Sequence, residues 1–156
     1  MNDAQITPET NGIRYGLLTA LAMAVYFSVA IVAGWADRIE FSFLNFAIMA
    51  VGVCLAIANF KRAKRDRMPY LQGFATGVMT AAISSLAFGL AFVLCTLIWP
   101  NIMDQIHARD LFGFDLSITI AFLAILLQGA MVGAIITLVA MQYFKSPDHK
   151  PIEGIE

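Results

Sequence analysis

Charge is what this 156-residue chain lacks. Lys, Arg, Asp and Glu make up 13% of it, about half of the roughly 25% found in a water-soluble domain. So few charges cannot clothe a surface in water, but they suit a chain whose solvent is mostly lipid. The formal net charge of −1 excludes a general cationic field for nucleic acid. The chain has two cysteines, Cys54 and Cys95, toward opposite membrane faces of their apolar runs, which argues against a disulfide between them. Buried thiols in apolar surroundings are inert, so neither is read as a redox group. A Gly-rich phosphate loop, a nucleophile elbow and zinc-ligand spacings are all missing. The expectation is a non-enzymatic protein with no cofactor and no metal.

The shortage is sharpest in four apolar runs, residues 16–35, 41–60, 70–99 and 116–144, which hold none of the ten Lys/Arg or eleven Asp/Glu. The first two are 20 residues long, and a helix rising about 1.5 Å per residue covers about 30 Å in that length, the thickness of the hydrocarbon core. The other two, of 30 and 29 residues, must tilt or protrude. Backbone groups in lipid need partners within their own segment, and continuous rather than alternating hydrophobicity excludes a β-barrel. The expected fold is therefore all-α, one integral membrane four-helix bundle with a short loop at 61–69, an outer interfacial link at 101–115 and a tail at 145–156.

Basic residues set the direction. Lys61, Arg62, Lys64, Arg65 and Arg67 crowd the central loop, Arg14 precedes the first span, and Lys145 and Lys150 follow the fourth. Four spans place these eight on one side and leave Arg38 and Arg109 on the other. Cytoplasmic loops carry such an excess, so both termini are expected inside. Trp35 and Trp99 then mark the outer interface, and Tyr15, Tyr70 and Tyr143 the inner one. The first run is longer than a signal-peptide core and ends in no clear small-x-small site, so it reads as an uncleaved helix. The basic loop also suits anionic headgroups, at about 1 kcal/mol per cation near the surface.

Small residues recur every fourth position in span three, at Gly73, Gly77, Ala81, Ser85 and Gly89, and in span one, at Gly12, Gly16, Ala20, Ala24 and Ser28. Span four adds Gly129 and Gly133. Such stripes allow close backbone approach, either within the bundle or between chains. Sliding the chain by 61 residues sets Gly12, Gly16, Thr19, Ala20, Phe27 and Ala30 on Gly73, Gly77, Thr80, Ala81, Phe88 and Ala91, a pattern of two parallel-repeated helical hairpins.

No ionisable Asp, Glu, Lys, Arg or His lies in a span, which argues against a proton relay, an ion-coupled transporter or a voltage sensor. The mid-depth polar groups are Tyr26, Ser84, Ser85 and Gln128. They read either as interhelical hydrogen-bonding groups or as a site for a small neutral or lipid-like ligand. In the outer link, Asp104, His107 and Asp110 stand three apart, but the pattern fits solvated charges on an interfacial helix better than a metal site. Asp115, after Gly113, reads as the N-cap of span four.

The stretch from the basic loop through Tyr70, Gln72, Gly73 and Phe74 to Pro100-Asn101-Ile102-Met103-Asp104 resembles a group of small four-helix bacterial membrane proteins known only as a domain of unknown function. That resemblance implies a bacterial inner-membrane location and supplies no activity. The functional expectation is a protein acting through helix–helix contacts, as an accessory or assembly subunit of a membrane partner or as a homo-oligomer. The alternative is a small transporter or channel for a neutral or lipidic solute.

Overall fold

The computed structural model describes residues 7–34, 39–64, 68–99 and 117–144. They form four helices: α1 Pro8–Val32, α2 Ile39–Ala63, α3 Tyr70–Ile98 and α4 Ile118–Phe144. All four are long and apolar enough to cross a membrane. The chain is an all-α four-helix bundle, as expected.

Helix ends follow local chemistry. Thr7 caps α1, its side chain accepting from the Thr10 N–H at 3.2 Å, with Pro8 in the first turn and Glu9 facing the positive end of the helix dipole. This cap starts the helix two turns before the uncharged run begins. At the other end Gly34 takes a φ of +70°, the left-handed conformation that closes helices at little cost for glycine. Lys61 and Arg62 sit in the last turn of α2, where the dipole favours cations, and Lys64 lies 5.6 Å from the Phe60 ring centroid. Trp99 leaves the helical region at φ −124°, ψ 85°, consistent with the bias against the α region in a residue before proline. Ser117 accepts from the Ile120 N–H at 3.3 Å and so caps α4. Asp115, the cap expected from sequence, lies outside the described residues, as does the link with Asp104, His107 and Asp110.

α3 packs against the other three helices, and α2 touches α1, α3 and α4. The cyclic order is α1, α3, α4, α2, with α2 and α3 closing the short diagonal. α1 and α3 run parallel: a methyl added at Gly12 would lie 2.7 Å from Met79 Cβ, and one at Gly16 would lie 2.8 Å from Ile83 Cβ. The Phe27 ring meets Phe88 and Phe92 farther along the same direction, with centroids 5.9 and 5.7 Å away. The antiparallel α3–α4 seam is stepwise. Gly73 faces Met141, Gly77 faces Thr137, Ala81 faces Gly133, Ser85 faces Gly129, and Gly89 faces Ile125 and Phe122. Each four-residue step up α3 matches a four-residue step down α4, so the i±4 rows of both helices interlock.

The two hairpins of the expected repeat are not packed alike. α2 lies on α3, but α1 and α4, which such a repeat would pair in the same way, barely touch. The deepest core lies toward the end where α2 finishes and α3 begins, where Val53, Ala56, Ile57, Phe60, Met68 and Met141 have almost no exposed surface. Cys54 and Cys95 are free thiols on α2 and α3.

Candidate functional site

The small-residue positions Gly16, Ala20, Gly73, Gly77, Ala81, Ser85, Gly89, Gly129 and Gly133 are all buried inside the bundle. On α3 the four-residue stripe stays buried throughout, because helices enclose it on three sides. On α1 it does not: Gly12, Gly16 and Ala20 are buried, Ala24 only half, and Ser28 is exposed. A helix turns once in 3.6 residues, so a four-residue stripe drifts about 40° per step and leaves a single interface. The buried side of α1 continues instead through Met23 and Ala30.

The mid-depth polar group does not converge. Ser84 and Ser85 are fully buried on α3, while Tyr26 is half-buried on α1 near the level of Phe88 and Phe92, one to two turns beyond the serines. Gln128 sits at the height of Ser85, because its neighbour Gly129 packs there, yet its own side chain is exposed on the far side of α4. Gly129 and Gln128 are about 100° apart around the helix, so the first facing the seam turns the second away.

Nor are the two serines hydrogen-bonding groups between helices. Ser84 and Ser85 both donate to the Ala81 carbonyl, at 2.9 and 2.8 Å. Thr19, Thr76, Thr80 and Thr137 likewise donate to the carbonyl four residues back, at 2.7–2.9 Å. In a helix a Ser or Thr hydroxyl reaches its own i−4 oxygen readily, and in an apolar interior that removes its need for a partner elsewhere. These residues join helices by packing: a methyl at Gly52 would strike the Thr19 side chain, and one at Gly77 would lie 2.5 Å from Thr137 Cγ2.

Two asparagines matter that the sequence reading passed over. Asn11, 4% exposed on α1, donates through Nδ2 to the Ala56 carbonyl of α2 at 2.8 Å, a side-chain hydrogen bond that crosses between helices. Asn45 holds its Oδ1 buried, with no hydrogen-bond donor among the described residues. By the α1–α2 register that sets Thr19 on Gly52, Asn45 lies two turns along α2, level with Tyr26. The only sequence signal for either is a lone amide at the edge of, or within, an apolar run.

Of the basic loop, Lys61, Arg62 and Lys64 gather at one end of the bundle with Tyr70 and Tyr143, while Arg65 and Arg67 lie outside the described residues. Trp99 is exposed at the opposite end. The outward surface between is mainly apolar: Leu17, Leu21 and Val25 on α1, and Leu127, Met131 and Ile135 on α4, are all more than half exposed. This is a multi-pass helical membrane protein with a tight interior, whose buried hydroxyls bond within their own helices, and a mainly apolar exterior suited to lipid. No family model, curated protein or solved structure matches the chain.

Proposed function

We propose that this protein acts through helix–helix contact in a bacterial inner membrane, as an accessory or assembly subunit or as a homo-oligomer, with both termini in the cytoplasm and no catalytic activity. The observation behind this reading is the closed α3–α4 seam. The face of α3 that would line a solute path, Ala81, Ser85 and Gly89, is filled by Gly133, Gly129, Phe122 and Ile125. With the interior occupied, the outer faces of the helices remain for interaction. The orientation rests on Lys61, Arg62 and Lys64 at the end shared with Pro8 and Phe144, and the bacterial setting on the resemblance around Tyr70–Phe74. The same cations would hold anionic headgroups at that surface.

A transporter or channel for a neutral solute is the second reading. Asn45 favours it, since an acceptor that is buried and has no donor among the described residues suits a hydroxyl or amide ligand. A Ser85→Cys chain with Cys54 and Cys95 replaced by alanine separates the two. In membranes, a polar maleimide should leave that thiol unlabelled until the protein is denatured. Labelling in the folded protein would overturn the contact reading. Isolation of the tagged chain in mild detergent should then yield a stoichiometric membrane partner or a self-assembly; a monomer travelling alone would contradict it.

A further inference from the structure

Gln128 lies three residues from the midpoint of α4, Ile118–Phe144, about 5 Å along the axis at 1.5 Å per residue, which places it near the middle of a 30 Å hydrocarbon core. Its side chain is exposed, and among the described residues it makes no hydrogen bond. A primary amide carries two donors and an acceptor that lipid cannot satisfy, so a Gln facing hydrocarbon at that depth needs a protein partner. Gly133, Thr137 and Met141 occupy the opposite side of α4 against α3, so the α3–α4 seam turns Gln128 away from α3, and its side chain stays exposed among the described residues.

We infer that the Gln128 face of α4 is the contact surface for a second copy of this chain. This deepens the helix-contact reading and rests on it. A different protein would need a polar group at the same depth by coincidence. A second copy related by a two-fold axis along the membrane normal brings it automatically, because the same residue then meets itself at the same height. The amide is self-complementary: each carbonyl accepts from the other amide's N–H, giving two reciprocal bonds. The surroundings suit close approach. Ala124, Ile135, Val139 and Gln142 lie within about 40° of Gln128 around the helix and are exposed, while Ala121 and Val132 on the side toward the bundle are half-buried. Ala124 lets the backbones approach on the outer side, and Gln142, within the last turn, reaches the polar interface.

The test uses the full chain in native membranes with Cys54 and Cys95 replaced by alanine. Ala124→Cys should form an intermolecular disulfide between identical chains on mild oxidation, whereas Leu21→Cys, equally lipid-facing on α1, should not. In vesicles, energy transfer between labelled chains on dilution with lipid gives the dimer constant. Gln128→Leu should raise the dissociation constant about eightfold, the loss of two bonds of the strength typical inside membranes, while Gln128→Asn retains part of it. Helix content and unfolding of Gln128→Leu should match the parent. Equal cross-linking at both positions, or a dimer constant indifferent to Gln128→Leu, would overturn the inference. An Ala124→Cys adduct with a different protein would overturn it while leaving the broader contact reading standing. Absence of any adduct or co-isolating partner would count against both.

Discussion

Moving one methyl group across the α3–α4 seam tests the packing where two small residues meet. Gly133 faces Ala81 so closely that a Cβ on Gly133 would collide with the Ala81 methyl. Gly133→Ala gains about 1 kcal/mol of helix propensity, but overpacking a filled site costs about 1–3 kcal/mol, so the net effect is a loss of about 0–2 kcal/mol. Ala81→Gly loses that propensity together with the methyl's dispersion contacts, about 1.5–2 kcal/mol in all. In the double variant the propensities cancel and the new methyl fills the space vacated by the old one, so stability should return to within about 1 kcal/mol of the parent. The coupling should therefore be favourable by about 1–3 kcal/mol, the range of residues in direct contact. Reversible unfolding in mixed micelles, followed by far-ultraviolet circular dichroism, gives all four corners of the cycle. Ala130→Gly, at an exposed position on α4, calibrates propensity alone at about 1 kcal/mol. Additivity within about 0.5 kcal/mol, or a Gly133→Ala variant stabilised by the full propensity gain, would refute the seam.

Asn11→Leu should destabilise the bundle by about 1 kcal/mol in the same assay, since it removes the amide that bonds the Ala56 carbonyl and leaves that region to repack. Thr80→Val should change stability by less than about 0.5 kcal/mol, because the shape is kept and the lost hydroxyl bonds only its own helix; a large effect would point to an interhelical role for the hydroxyl. A fluorescent reporter fused after Phe144 should fold and fluoresce, and alkaline phosphatase at the same place should stay inactive; active phosphatase there would reverse the orientation.

The spans were legible because a shortage of charge over twenty or more residues has few physical readings. The start of α3 at Tyr70 and the end of α4 at Phe144 agree with the hydropathy boundaries. α1 begins earlier than its uncharged run, since Thr7, Pro8 and Glu9 form a helix start that tolerates polar residues in the first turns. Which way each side chain faces was far less legible. Apolar residues surround α4 on every side, so nothing in its hydropathy marks Gly129 as inward and Gln128 as outward; that follows from the Ser85–Gly129 contact. The stripe on α3 was readable as a packing face because small residues have one common use in lipid. Its partners were not, since the same glycines could equally have met another chain. The hydroxyls misled for a local reason: Ser84 and Ser85 find acceptors one turn back, an option that spacing alone does not reveal.

The most direct measurement is the surroundings of the outward side chains. Nitroxide labels at Leu21→Cys and Leu90→Cys, both more than half exposed at mid-helix, should collide often with oxygen and rarely with a water-soluble nickel chelate in reconstituted vesicles. Nickel collision rates at these sites matching those of a label in free water would place the helices outside the bilayer and contradict the account.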